Sequence, residues 1–173
     1  MIVVADSSPI HYLIQIQAVG ILEGIYGHVL IPPAVREELL HPSAPEPIRQ
    51  WVSHPPSWLE VRSPTRAPDE SLARLDAGER AAIQLAEELA AGQLLMDDRE
   101  GRQEAERRGL HVLGTLGVLR EAAALGILDL RAAVERLQNT NFYIAPEVLA
   151  RLLDDAGEFC SLDLMLLEFR GRG

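Results

Sequence analysis

The chain contains no lysine; all 16 of its basic residues are arginine. That absence excludes two phosphate chemistries, because a Walker-type phosphate loop and a phosphorylation-receiver site each need a lysine amine. Cysteine is scarce as well. The single Cys160 can form no internal disulfide and has no Cys or close His partner for zinc, so a reducing compartment fits and the thiol reads as a small buried hydrophobe. No apolar run approaches the roughly 20 residues of a membrane span, and the opening MIVVAD lacks the basic flank and apolar length of a signal peptide. A cytoplasmic protein with no membrane association is therefore expected. Aromatics are few, with two Trp, three Tyr and three Phe, which limits recognition of RNA bases by stacking. Trp51 and Trp58 fall in a proline-rich stretch, where stacking on a base and ordinary core packing are both open. Net positive charge is also missing. At a formal charge of -10 the bulk surface does not attract a phosphate backbone, so an anionic substrate must be met locally, by cations held on carboxylates or by grouped arginines.

What is present suits one folded domain: 173 residues, 47% hydrophobic and 24% charged, long enough to bury a real core. Ile2 to Ala5 is a continuous apolar run that reads as a strand buried on both faces and ends at Asp6. A helix is expected next, with Ser8 as its cap, Pro9 in its first turn and Gly20 at its end. Ile21 to Tyr26 reads as a short turn, His28 to Ile31 as a second strand, and Pro32-Pro33 as the opening of a helix through Leu40. Residues 41–68 are dense in proline and read as an insertion holding a short helix near Ile48 to Val52 and a short strand at Trp58 to Val61. Asp76 to Ala91 reads as helix, Gln93 to Met96 as strand, Arg99 to Arg108 as a charged helix closed by Gly109, and His111 to Leu113 as strand. Helices are expected over Thr115 to Leu125, Asp129 to Gln138 and Pro146 to Ala156. Strands alternating with helices predict a mainly parallel central sheet in a three-layer α/β/α sandwich, with ligands beyond the carboxyl ends of the strands.

Two strands end directly in acid, IVVAD at Asp6 and LLMDD at Asp97-Asp98, so in one parallel sheet these carboxylates share an edge. Helix capping is the competing explanation, stronger for Asp98 just ahead of Arg99 than for Asp6. In DAGE, Asp76 and Glu79 match a capping box, yet Glu79 also falls on the inward stripe with Ala82, Ile83 and Ala86. In PAVREELL, successive side chains turn by about 100°, which puts Glu38 roughly 60° from the apolar Val35 and Glu37 roughly 160° away, toward solvent. Glu38 is the candidate of that pair. Four carboxylates in one pocket repel one another, and a hard divalent cation, Mg²⁺ or Mn²⁺, would relieve that repulsion while binding phosphate oxygens. No His-Glu-x-x-His or Cys-x-x-Cys spacing points to zinc, and His11, His28 and His111 read as structural. Arg99 and Arg102 lie one turn apart beside the acid pair. They read either as part of a solvated, ion-paired helix face or as a phosphate clamp.

The pieces VVADSSPIHYL, VLIPPAVREELL, LDAGERAAIQLAEE, LLMDDREGRQEAERRGL and GTLGVL, in that order, resemble the PIN-domain family, in a prokaryotic branch related to toxin-antitoxin ribonucleases. The resemblance runs from about Ile2 to Gly157, which sets a PIN-like nuclease domain at 1–157 and an apolar C-terminal tail at 158–173. It implies a Mg²⁺ or Mn²⁺ site and endoribonuclease activity, with the family's acids falling on Asp6, Glu38, Glu79 and Asp97, and Asp98 beside the last as a further metal ligand. Ser7 matches the small hydroxyl residue after the first acid, and Thr115 falls where a late polar residue lines the family's site; with Arg99 and Arg102 these are the candidate substrate contacts. The third acid is commonly Asp in the best-known toxin members and is Glu79 here, so direct ligation, contact through water and simple capping stay open for it. The expected partners are an RNA substrate, a cognate antitoxin protein and, from the apolar segment LDLMLLEF at Leu162 to Phe169, a second copy of the chain. The competing expectation is a non-catalytic PIN-like module that binds RNA or a protein without cutting.

Overall fold

The structure is a computed structural model that describes residues 1–154; Cys160 and the tail at 158–173, with the dimer expectation built on it, lie outside the described residues. Five strands form one sheet in the order β3-β2-β1-β4-β5, every neighbouring pair parallel. They are β1 (Val3–Ala5), β2 (Val29–Ile31), β3 (Leu59–Val61), β4 (Gln93–Leu95) and β5 (Val112–Leu113). The chain lays down β1, β2 and β3 in one direction, then returns to place β4 against the other side of β1. The carboxyl ends of β1 and β4 therefore flank the point where strand order reverses, the place in an open parallel sheet where the following loops part and leave a crevice.

Both faces are covered, as the continuous apolar strands require. Val3, Ala5, Val29, Ile31 and Leu95 face a layer made by α1 (Ser7–Gln15), α2 (Ile21–Tyr26), α3 (Pro33–Leu39), α4 (Glu46–Ser53), α7 (Thr115–Ala124) and α8 (Leu130–Gln138). Val4, Leu30, Leu94 and Met96 face α5 (Ala77–Glu88) and α6 (Arg99–Arg107). The period-2 alternation of the strands thus sorts neighbouring residues into two separate cores. Helix α3 also touches α5, which brings Glu38 toward the start of that helix.

Several elements differ from the sequence reading. Helix α1 begins at Ser7, which puts Asp6 rather than Ser8 in the capping position, and it ends at Gln15 because Gln17 turns into the left-handed region at φ 58°. Ile21–Tyr26 is a helix, not a turn; its Ile21 and Leu22 are buried, so packing outweighs the glycines on either side. The proline-rich stretch holds its expected short helix and strand, but it is built into the sheet and core and is not an insertion. It supplies α4 and the edge strand β3, and Ile48, Val52, Trp58 and Leu59 are all core residues. Trp51 lies against Trp58 with ring centroids 5.8 Å apart, which assigns this pair to packing.

Candidate functional site

Asp6 follows β1, and its N–H still donates to the carbonyl of Leu95 at 2.8 Å, so the backbone is locked between β1 and β4. The residue occupies the capping position of α1 but its side chain makes no cap hydrogen bond. It is 2% exposed, and its Oδ1 is buried with no hydrogen-bond partner. Burial pushes its carboxyl up to about 8; the Ser7 N–H offsets part of that, and the charges of Asp76, Glu38 and Glu79 push it further up.

Two other elements, α3 and α5, bring carboxylates to it, and the start of α6 adds one beside Glu79. Glu38 near the end of α3 accepts the Gly78 N–H at 2.8 Å, and the Ser7 hydroxyl donates to it. Its carboxyl is raised by burial, with the Ser7 hydrogen bond opposing and Asp76 adding. A Cβ at position 78 would lie 2.5 Å from Glu38 Oε1, so glycine there leaves the Glu38 carboxylate room to sit against the first turn of α5. Glu79 completes a capping box with Asp76: the Glu79 N–H donates to Asp76 Oδ1 at 2.8 Å, and the Asp76 N–H donates to Glu79 Oε2 at 3.3 Å. Buried as well, Glu79 is pushed up to about 7, first by burial and then by Asp76 and Asp98. Asp98 caps α6, accepting the N–H groups of Glu100 at 2.8 Å and Gly101 at 3.1 Å, and shares a hydrogen bond with the Glu79 carboxyl.

Asp97 stands to one side of this group. Its two oxygens accept the Thr115 N–H at 2.7 Å and the Thr115 hydroxyl at 2.6 Å, at the start of α7. Its carboxyl is raised by burial, while Thr115 and the charge of Arg102 hold it back. A Cβ at Gly114 would fall 2.7 Å from Arg102 Nη1 and 2.8 Å from Asp97 Oδ1, so this corner too is closed around a glycine. Arg102 also pairs loosely with Glu106 at 3.9 Å, and Arg99 is exposed at the start of α6. The helix N-termini of α1, α5, α6 and α7 all meet the acids at this edge, and their dipoles moderate the negative charge there.

A family model described as a PIN domain matches residues 2–158, which takes in every acid named so far. The chain belongs to the PIN-domain family. Among curated proteins none matches it. PIN domains are generally nucleases and typically depend on a metal, and the parallel sheet between helical layers is the fold that membership implies.

In this PIN domain the donor chemistry fits a hard divalent cation: oxygen ligands only, with the partnerless Oδ1 of Asp6 among them. The acids are not gathered into a finished cluster, however. Among the described residues no three of them stand together as a ready-made metal-binding group. Asp6 feels the charges of Asp76, Glu38 and Glu79, Asp76 acts on Glu38 and Glu79 as well, and Asp98 adjoins Glu79, while Asp97 is turned to Thr115. Three contributors escaped the sequence reading: Asp76 as a charge on the site, Gly78 and Gly114. The glycine in the first turn of α5 was the available signal, since glycine weakens a helix and needs a reason to be there. No helix among the described residues is long and apolar enough to cross a membrane.

Proposed function

We propose that this PIN domain is an endoribonuclease that hydrolyses RNA phosphodiester bonds with Mg²⁺ or Mn²⁺, using Asp6, Glu38, Glu79 and Asp97 as its catalytic acids. The observation that carries the proposal is Asp6, buried at the switch point of the sheet with an oxygen left unpaired and three carboxylates around it. Leaving such a group unsatisfied costs on the order of 1–3 kcal/mol, and a bound cation recovers it. The bound metal would lower the pKa of an attacking water and neutralise charge building on phosphorus. The chain's own residues hold the acids ready. Ser7 and the Gly78 N–H orient Glu38, Thr115 fixes Asp97, and Asp98 adjoins Glu79 as a further candidate ligand. Arg99 and Arg102, on the first turns of α6, are placed to meet substrate phosphates.

The test is cleavage of an unstructured RNA with Mn²⁺ or Mg²⁺, abolished by chelation. Millimolar Mn²⁺ should also raise the melting temperature, because a cation that binds only the folded chain stabilises it by mass action. One observation favours the second reading, a non-cutting module that binds RNA or a protein: among the described residues no three acids are gathered as they stand. On that reading Mn²⁺ leaves the melting temperature unchanged and no RNA is cut. The biological setting we propose is the toxin half of a toxin–antitoxin pair, which a short neighbouring gene for a helical or DNA-binding peptide would support. Dimerisation through the 162–169 segment is proposed from its apolar sequence, and light scattering with and without the tail tests it.

A further inference from the structure

Two grooves lie on either side of the first turn of α5, and Ala77 lines both. The first, about 370 Å³, is bounded by Ala34, Glu37, Glu38, His41 and Ser43, so it opens directly onto one of the site acids. The second, about 580 Å³, is lined by Pro64, Pro68, Ala77 and Ala81 together with Arg66, Arg80, Asp69 and Gln84. Among the described residues neither guanidinium has an ion pair or hydrogen bond, whereas Arg49, Arg62, Arg74, Arg107 and Arg108 are each bound to carboxylates. The acid on the rim does not neutralise them. Asp69 is held by the Arg108 guanidinium at 2.8 Å and by Ser71.

The loop that presents Arg66 is fastened down. Glu88 accepts the N–H groups of Thr65 at 2.7 Å and Arg66 at 2.9 Å and the Thr65 hydroxyl at 2.9 Å. The Gln84 amide donates to the carbonyls of Arg66 at 2.9 Å and Ala67 at 3.0 Å. Gln84 and Glu88 continue the α5 face that begins at Arg80, at i, i+4 spacing. The loop and the helix thus form one rigid wall, and two unpaired cations stand where the acidic surface is otherwise repulsive to phosphate.

We infer that this groove binds the backbone phosphates of single-stranded RNA next to the bond that is cut, with Arg66 and Arg80 as the phosphate contacts. The inference rests on the nuclease reading, and it extends the substrate path to the far side of α5 from Glu38. A groove that carries two cations beside proline and alanine side chains suits the backbone of a single strand, whose phosphates pair with the arginines.

The experiment uses the full chain and a labelled single-stranded RNA oligonucleotide, with anisotropy read in chelator so that binding is separated from cleavage. The double variant Arg66→Gln/Arg80→Gln should weaken binding at least tenfold. The slope of log affinity against log salt should shrink by about 1.4, the loss of two phosphate contacts on a single strand. Arg131→Gln on α8, in the opposite layer, should bind as the parent does. With Mn²⁺ present, the double variant should raise KM and leave kcat within about threefold. Unchanged affinity and salt slope would overturn the groove, as would equal binding of a polyglutamate of matched charge. Parent chain that binds RNA through the two arginines but never cuts it leaves the groove standing and removes the nuclease reading. Parent chain that cuts with a KM indifferent to the double substitution does the reverse.

Discussion

Asp6 and Glu104 are almost equally buried, at 2% and 3% exposure, and their surroundings treat them in opposite ways. Glu104 on α6 accepts from Arg107 at 2.6 Å, Arg108 at 2.7 Å and Arg74 at 2.9 Å. The hydrogen bonds from Arg107 and Arg108 bring its carboxyl down to about 2. Arg108 then reaches Asp69 and Glu87, and although burial works against its charge, Glu104 first and then these two carboxylates hold its pKa above the usual value. Asp6 receives no cation, keeps an oxygen without a partner and is pushed up to about 8. The same fold therefore satisfies a buried acid fully where only architecture is at stake. It leaves one unsatisfied at the carboxyl edge of the sheet, and the proposed site rests on that asymmetry.

The sharpest way to break the comparison is to remove each charge in turn. Asp6→Asn keeps the volume and abolishes the group a cation needs, so cleavage should fall by at least about a thousandfold, in the range of a lost transition-state contribution of roughly 4 kcal/mol. The melting temperature in chelator should stay level or rise, because repulsion with Glu38, Asp76 and Glu79 is relieved. Gly78→Ala is the next largest effect. The new methyl would meet the Glu38 carboxylate at 2.5 Å, and the flexible end of Glu38 yields before the backbone does. Activity should drop about ten- to a hundredfold, in line with misplacement of a catalytic group by about 1 Å. Folding should be little affected, and a variant of full activity would show that Glu38 is not in the site.

Glu104→Gln is the counterpart in the other region. It leaves Arg108, largely buried, with Asp69 and Glu87 alone, so about 2 kcal/mol of stability should be lost in chemical denaturation while cleavage by the folded enzyme persists. A drop in activity without a drop in stability would join the two regions into one site.

The two regions also titrate in opposite windows. Asp6 and Glu79, at about 8 and about 7 in the fold, keep protons that the open chain has already released. The stability they contribute is therefore complete below about pH 4 and is lost as pH rises toward 8. Glu104, Asp69 and Glu88 are held near 2, and their contribution is present above about pH 4 and lost as pH falls through 2. In chelator the melting temperature should peak near pH 4–5 and decline toward pH 8. Asp6→Asn should flatten that decline, and Mn²⁺ should protect most at the alkaline end, where the acids are free of protons. A melting temperature that climbs from pH 5 to 8 would mean that burial and the neighbouring acids do not hold protons on Asp6 and Glu79.

Much of this was legible in the chain because strands buried on both faces announce themselves by unbroken apolar runs. The strands ending at Ala5 and Leu95 stand within a residue of where their pattern puts them, and the helix behind Asp76 starts where expected but ends at Glu88, three residues short of Ala91. Candidate acids followed from the rule that such strands end at the binding edge. Partnership was not legible. Nothing in REGRQEAERR says that Glu104 is buried under three arginines while Glu100 and Glu106 stay exposed, since Arg74 arrives from a segment 30 residues away. Ile21–Tyr26 was missed for a related reason: six residues between glycines have weak intrinsic preference, and the helix exists because Ile21 and Leu22 have a core to enter.

The smallest expected effect decides between neighbours. Asp97 and Asp98 are identical in type, and each already works as a hydrogen-bond acceptor at a helix start, Asp97 for Thr115 of α7 and Asp98 for Glu100 and Gly101 of α6. Asp98→Ala removes a cap and should cost about 1 kcal/mol. Asp98→Asn keeps the accepting oxygen, so it should fold as the parent does. It also takes a negative charge away from Glu79, whose carboxyl should titrate lower as a result. If Asp98 serves only as a cap and a neighbour of Glu79, Asp98→Asn retains cleavage within about tenfold, whereas Asp97→Asn loses both cleavage and Mn²⁺-induced stabilisation. Equal inactivity of the two asparagine variants, both folded, would make Asp98 a metal ligand in its own right and move the site from the four acids to five.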